Sequence, residues 1–179
     1  PAFHPAFKHI MPVRLELGIR TLFNLMGPLL NPANPTHQLI GVARADIMEL
    51  MAQTLKLKGI KRAAVVHGTG GFDELTPFGP SKVAWIDDSG VSMGEIDPTE
   101  LGIKSCAPED VAVRDKEHAL DVIREVLAGD GPEGMTEMLV LNTAVCVHLL
   151  ENGLPLVECV AKVREAVASG AGLKPLGAN

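Results

Sequence analysis

Apolar residues along this chain recur with two different periods, and the change from one to the other separates strands from helices. Gln38–Ala43 (QLIGVA) and Ala63–His67 (AAVVH) are short, nearly continuous apolar runs between turn residues, the pattern of strands buried on both faces. Between them Asp46 is a candidate N-cap. Ile47, Leu50, Met51 and Leu55 then mark one helical face to about Lys58, and Gly59 supplies a stop. Strand, helix and strand within about 30 residues predict a βαβ unit, hence a parallel pair with a right-handed crossover. Lys82–Ile86 and Val91–Ile96 flank Asp87-Asp88-Ser89-Gly90 and predict a hairpin. Asp97-Pro98-Thr99-Glu100 has the capping-box form with proline at the first helical position, and opens a short turn.

The C-terminal part reads as helical. Glu117–Ala128 repeats apolar residues at Leu120, Ile123, Val126 and Leu127 and stops at Gly129. Met135–Leu150 is apolar on nearly all sides, which predicts a buried core helix. Pro155 starts a last helix with Val157, Val160, Val163 and Val167 on one stripe, ended by Gly170. Residues 1–36 hold no long period, and Pro12, Pro28, Pro32 and Pro35 cut them into short helical pieces and turns. Loop-dense segments of this kind in a compact domain are usually functional. The expected class is α/β, a largely parallel sheet with flanking helices plus a β-hairpin, with no internal repeat and one unit over residues 1–179.

Composition adds exclusions. With 46% apolar residues in 179 the chain is not disordered, and no apolar run reaches the roughly 18 to 20 residues of a membrane span. Cys106, Cys146 and Cys159 form no CxxC pair and have no histidine at zinc-finger spacing, so they read as free buried thiols in a reducing, cytoplasmic compartment. The 179 residues show no basic-then-apolar run, so no export leader is expected.

The net charge of −6 hides an asymmetry. Residues 1–62 carry eight Lys/Arg against three acids, while residues 63–179 carry eight against nineteen. The basic part suits a small, highly anionic ligand. Nucleic acid fits less well, because five Phe, one Trp and no Tyr leave little to stack on bases.

The candidate chemistry lies in two constellations. The first runs His4-Pro5-Ala6-Phe7-Lys8-His9, Pro12-Val13-Arg14, Glu16-Leu17-Gly18-Ile19-Arg20-Thr21, Phe23-Asn24, Gly27-Pro28-Leu29 and Asn31-Pro32. The second is His67-Gly68, Gly71 and Asp73-Glu74. Together they resemble the anthranilate phosphoribosyltransferase family, whose patterns HPA-x-KH-x-x-PVR-x-ELG-x-RT-x-FN-x-x-GPL-x-NP and HG-x-x-G-x-DE they meet at the expected separation. The resemblance extends over nearly the whole chain.

The resemblance implies a transfer in which the amine of anthranilate attacks C1 of the ribose of phosphoribosyl pyrophosphate. Pyrophosphate leaves with inversion, Mg²⁺ assists, and the step belongs to tryptophan biosynthesis. It implies that Arg14 holds the anthranilate carboxylate, a task suited to a planar, permanently charged guanidinium. Gly27 matches a glycine of the anthranilate site, where a missing side chain lets the ring approach the backbone; equally, it could serve the turn before Pro28. His4 could line the outer anthranilate path. His9 could satisfy a core hydrogen bond, Arg20 could face an anionic substrate or, the preferred reading, pair with Glu16, and Asn24 could orient a ligand or bond its own turn.

Within the second constellation, Gly68-Thr69-Gly70-Gly71 invites a phosphate-loop reading. No GK[ST] follows, however, and no GxGxxG opens a helix. The family's diphosphate loop has similar spelling but belongs to an upstream segment, so by position this is the family's metal element. Asp73 and Glu74 then supply hard oxygen ligands for Mg²⁺. Asp87-Asp88 reads as a hairpin tip, Met48, Met51, Met135 and Met138 as packing, and Asn142-Thr143 as internal hydrogen-bonding residues of an apolar helix.

The chain starts at Pro1 and is in full pattern by His4. The resemblance therefore implies a C-terminal portion, with the family's N-terminal helical domain (the homodimer contact) and diphosphate-loop segment outside it, and inactive by itself. Two alternatives keep the same architecture. A non-catalytic nucleic-acid-binding relative is favoured by the basic N-terminal part but disfavoured by the intact Arg, Gly and Asp-Glu elements. A pyrimidine nucleoside phosphorylase does not account for the long first element. No nucleic-acid or membrane partner is expected.

Overall fold

The structure is a computed structural model and describes Pro12, Val13, Glu16 and residues 22–176. These divide into two compact units, residues 1–36 and 37–179. In the first, helix α1 (Leu22–Leu29) holds Pro28 in its last turn, and the Leu30 amide bonds back to the Gly27 carbonyl. A proline breaks a helix only where it removes a needed bond or meets a preceding carbonyl, and α1 continues through Pro28 to Leu29.

The second unit is built on a four-stranded sheet in the order β1 (His37–Gly41), β2 (Arg62–His67), β3 (Ser81–Asp87), β4 (Gly90–Ile96). β1 and β2 are parallel, with Leu39 opposite Ala64 and Ile40 opposite Val65. Helix α2 (Met48–Leu57) makes the expected crossover. The β2–β3 and β3–β4 pairs are antiparallel, so the described sheet is mixed rather than largely parallel. The physical reason is that a loop, not a helix, joins β2 to β3, and the hairpin then adds a second antiparallel ladder. The hairpin itself is as expected: the Ser89 amide and hydroxyl both bond the Asp87 carboxylate at its tip.

Local signals mark most boundaries correctly, but burial depends on neighbours. Asp46 is not an N-cap; it forms a forked ion pair with Arg44 at a short 3₁₀ turn, Ala45–Ile47, ahead of α2. Met48, Met51, Ala52 and Leu55 are the buried face of α2, which packs on β2 and β3, whereas Leu50 is exposed. Asp97 does cap its turn, accepting from the Thr99 amide at 2.8 Å.

Helices α3 (Lys116–Ala128), α4 (Glu133–Leu150) and α5 (Leu156–Ala168) cover the sheet on the side of β1 and β2, with α4 in contact with both strands. The core joins Ala64, Val66 and Val83 of the sheet to Val140, Leu141 and Val145 of α4 and Val160 and Val163 of α5. In α3 the buried residues are Val122 and Val126, not Leu120 and Ile123, and in α5 Val157 is exposed. All three cysteines are free, but only Cys159 is fully buried.

Two long-range polar ties hold the helical layer. The Arg62 guanidinium donates to the His148 and Leu149 carbonyls at 3.0 Å each, capping the end of α4 from the start of β2. Glu137, which is 3% exposed, is paired by both nitrogens of Arg164 from α5 and also accepts from the Lys104 amide. No described helix is long and apolar enough to cross a membrane.

Candidate metal-binding loop

The acid pair sits on the segment that follows the carboxyl end of β2, beside the end of the parallel strand β1. Ligands of open α/β sheets bind at this end of the strands. Its first turn is closed locally. The Gly68 amide bonds the Phe72 carbonyl at 2.8 Å, and the Gly71 amide bonds Gly68 at 3.2 Å. Gly70 and Gly71 both take positive φ, 82° and 83°, which glycine alone adopts without strain. Phe72 and Phe78 meet edge to face across the loop, and the Thr69 hydroxyl bonds the Pro80 carbonyl. Two of the amides that a phosphate cradle would need are thus committed within the turn, and no helix opens behind it.

The backbone of the acid pair is held by shape and by hydrogen bonds. A Cβ at Gly41 would lie 1.4 Å from the Asp73 carbonyl oxygen, and one at Gly68 would lie 2.1 Å from that of Glu74. Both glycines are therefore required for the main chain of the acid pair to lie where it does. The His67 ring bonds the Val42 carbonyl through Nδ1 at 2.8 Å, tying the ends of β1 and β2 together under the loop. Beyond the pair, Leu75 is fully buried, and both of its main-chain polar groups are bonded to one side chain, the Asn142 amide of α4.

Asp73 and Glu74 keep access to solvent, yet Glu74 also leans over an apolar cleft of about 420 Å³ between α3 and α4. Val122, Val126, Met135, Met138 and Leu139 line that cleft. Partial burial, and then the neighbouring charge of Asp73, push the Glu74 carboxyl above the usual carboxylate range. A divalent cation would relieve that repulsion. Among the described residues no cluster of three or more His, Cys, Asp and Glu is formed. Asp73 and Glu74 would be the protein ligands for Mg²⁺, which ordinarily keeps waters and substrate oxygens in its shell.

Of the other expected site residues, His4 and Arg14 lie outside the described residues, as do Lys8, His9 and Arg20. Gly27 is exposed on α1, and a Cβ there would meet nothing within 4 Å among the described residues. Its φ is not positive, so no left-handed backbone asks for glycine at that position. Two residues that matter to the loop were not tied to it by sequence: Gly41, visible only as a glycine inside a buried strand, and Asn142, a polar residue in an apolar helix.

Several known proteins resemble this chain over almost its whole length. The family model for the glycosyl transferase family, a/b domain, matches residues 1–173. The chain is 54% identical over 183 residues to anthranilate phosphoribosyltransferase of Nitratidesulfovibrio vulgaris, covering 99% of this chain and 54% of that protein. The Thermus thermophilus anthranilate phosphoribosyltransferase superposes with a TM-score of 0.88 at 34% identity, over 97% of this chain and 51% of that one. The Saccharomyces cerevisiae enzyme in complex with PRPP and Mg gives 0.87 at 28% identity, over 97% and 50%. The chain spans about half the length of the relatives it matches. These transferase relatives lend the nucleic-acid-binding alternative no support. The mixed sheet, the flanking helices and a match over almost every residue establish that the chain belongs to the glycosyl transferase family as its α/β domain.

Proposed function

We propose that this chain forms the anthranilate-side and metal-side portion of an anthranilate phosphoribosyltransferase. In that reaction the anthranilate amine attacks C1 of phosphoribosyl pyrophosphate and the bond to pyrophosphate breaks. The observation that carries the reading is the seating of Asp73-Glu74: two adjacent carboxylates on a backbone that Gly41 and Gly68 must accommodate, at the ligand-binding end of the strands. Bound Mg²⁺ would offset the negative charge that builds on the departing pyrophosphate.

The chain's own residues divide the remaining tasks. Arg14 grips the anthranilate carboxylate with two parallel hydrogen bonds and so aims the amine. Gly27 admits the ring; among the described residues a Cβ there would meet nothing within 4 Å. His4 lines the approach. Much of the rate then comes from holding two substrates together in line. The relatives bring about twice this length to the reaction, so the 179-residue chain alone is expected to bind metal without turning over. The parent is proposed to be a cytoplasmic homodimer joined through a preceding helical domain.

The test is Mn²⁺ titration of the 179-residue chain, read by electron paramagnetic resonance, beside Asp73→Asn and Glu74→Gln. Affinity lost by more than about tenfold in both variants supports the reading. Unchanged affinity in either overturns its assignment as a ligand. An assay with anthranilate, phosphoribosyl pyrophosphate and Mg²⁺ should give no appreciable product; sustained turnover would refute the claim that the chain is insufficient.

A further inference from the structure

We propose that Asn142 is a positioning residue for the cation: by bonding both main-chain groups of Leu75 it sets the direction in which Asp73 and Glu74 leave the loop. The inference rests on the reading of those two acids as metal ligands and names a residue of α4 that serves them without touching the metal.

The geometry is that of a short strand pairing replaced by one side chain. The Leu75 amide donates to Asn142 Oδ1 at 3.0 Å, and Asn142 Nδ2 donates to the Leu75 carbonyl at 2.8 Å. The second Nδ2 hydrogen goes to the Met138 carbonyl of the same helix at 2.9 Å. That third bond fixes the amide's orientation on α4, so Leu75 is referenced to the long buried helix. Exchanging the amide's oxygen and nitrogen would put donor against donor at Leu75, so the network admits a single orientation.

Asparagine is the residue type this task requires. A planar amide presents one acceptor and one donor side by side, the complement of a residue's own N–H and C=O, and serine or aspartate supplies only part of that set. The cost of placing it in an otherwise apolar helix is removed only when all three bonds are made. Thr76, next in the chain after Leu75, is fully buried and its hydroxyl finds no partner among the described residues. Leu75 stands between that group and Glu74. A turn of its peptide planes would change the direction in which Glu74 leaves the chain relative to Asp73.

Positioning and plain stabilisation differ in what they move. Asn142→Ala removes all three bonds. Asn142→Ser removes those to Leu75 while a helical serine can still bond the Met138 carbonyl. Arg164→Ala is the control, since it unsettles the same helix α4 at Glu137, away from the loop. All are titrated with Mn²⁺ well below their melting temperatures, with Asp73→Asn as the reference for a lost ligand. The expected result is an affinity loss of about tenfold to a hundredfold in the folded Asn142 variants, with an altered Mn²⁺ spectrum, and parental affinity in Arg164→Ala. A folded Asn142 variant with parental affinity overturns the proposal. So does an equal loss in Arg164→Ala, or failure of both Asn142 variants to fold, because either makes Asn142 a determinant of stability alone. Parental affinity in Asp73→Asn would instead overturn the metal reading itself, whatever the Asn142 variants do.

Discussion

The main chain of Asp73 crosses Gly41 so closely that a β-carbon on Gly41 would lie 1.4 Å from the Asp73 carbonyl oxygen. The obstacle is backbone, which cannot rotate aside like the end of a flexible side chain. Gly41→Ala is therefore expected to destabilise the chain by about 3 kcal/mol, the upper end for overpacking. It should also weaken Mn²⁺ binding, since relief comes only from moving the acid loop. Chemical denaturation and Mn²⁺ titration check the two effects. A stable variant with parental affinity would show that the loop does not depend on this contact.

Arg164→Ala leaves the Glu137 carboxylate buried with only the Lys104 amide as partner. Removing one member of a buried pair costs about 3 kcal/mol or more, although the partly exposed guanidinium lets some water approach. A double substitution of Glu137→Met and Arg164→Leu should recover much of the loss, because no unpaired charge remains. Urea unfolding of the single and double variants distinguishes this from a simple packing defect.

Asp97 supplies a pH-dependent contribution with a definite sign. Hydrogen bonds from the Thr99 hydroxyl and then the Thr99 amide hold its carboxyl below the ordinary 3.8. A lowered folded value means that the contribution is present above 3.8 and lost as pH falls through the lower folded value. Melting curves of the parent and Asp97→Ala should therefore differ near about pH 6 and converge well below 3.8. A difference that grows on acidification would contradict the cap.

Burial pushes the thiols of Cys106, Cys146 and Cys159 above their ordinary value, and nearby acids add to this at Cys106 and Cys159. Less thiolate and less access both slow alkylation. At about pH 8 all three should react with iodoacetamide more slowly than free cysteine, with Cys159 the slowest. Peptide mapping by mass spectrometry would reveal a faster site if one exists.

Much of the second unit was legible from residue pattern because its signals are local. The hairpin tip at Asp87–Gly90, the cap at Asp97 and the stops at Gly59, Gly129 and Gly170 depend on a few neighbouring residues. Asp46 misled because its carboxylate had a nearer partner in Arg44 than the helix amides. Leu120, Ile123 and Val157 lie on apolar stripes yet stay exposed, since a stripe records which side of a helix is greasy and not whether a neighbour covers it. The acid pair was found by motif. The supports of its backbone were not, because Gly41 and Asn142 lie far from Asp73 and Glu74 along the chain.

By itself, then, the sequence determined the element types, the family and the two carboxylates that bear the proposed chemistry. These follow from short-range backbone preference, from periodicity and from residue order. The antiparallel attachment of β3 to β2, the seat of Asp73 on Gly41 and the grip of Asn142 on Leu75 were decided only in three dimensions. Each is a contact between distant segments, and such contacts are settled by how whole elements pack, at distances where one methyl group or one amide hydrogen changes the outcome.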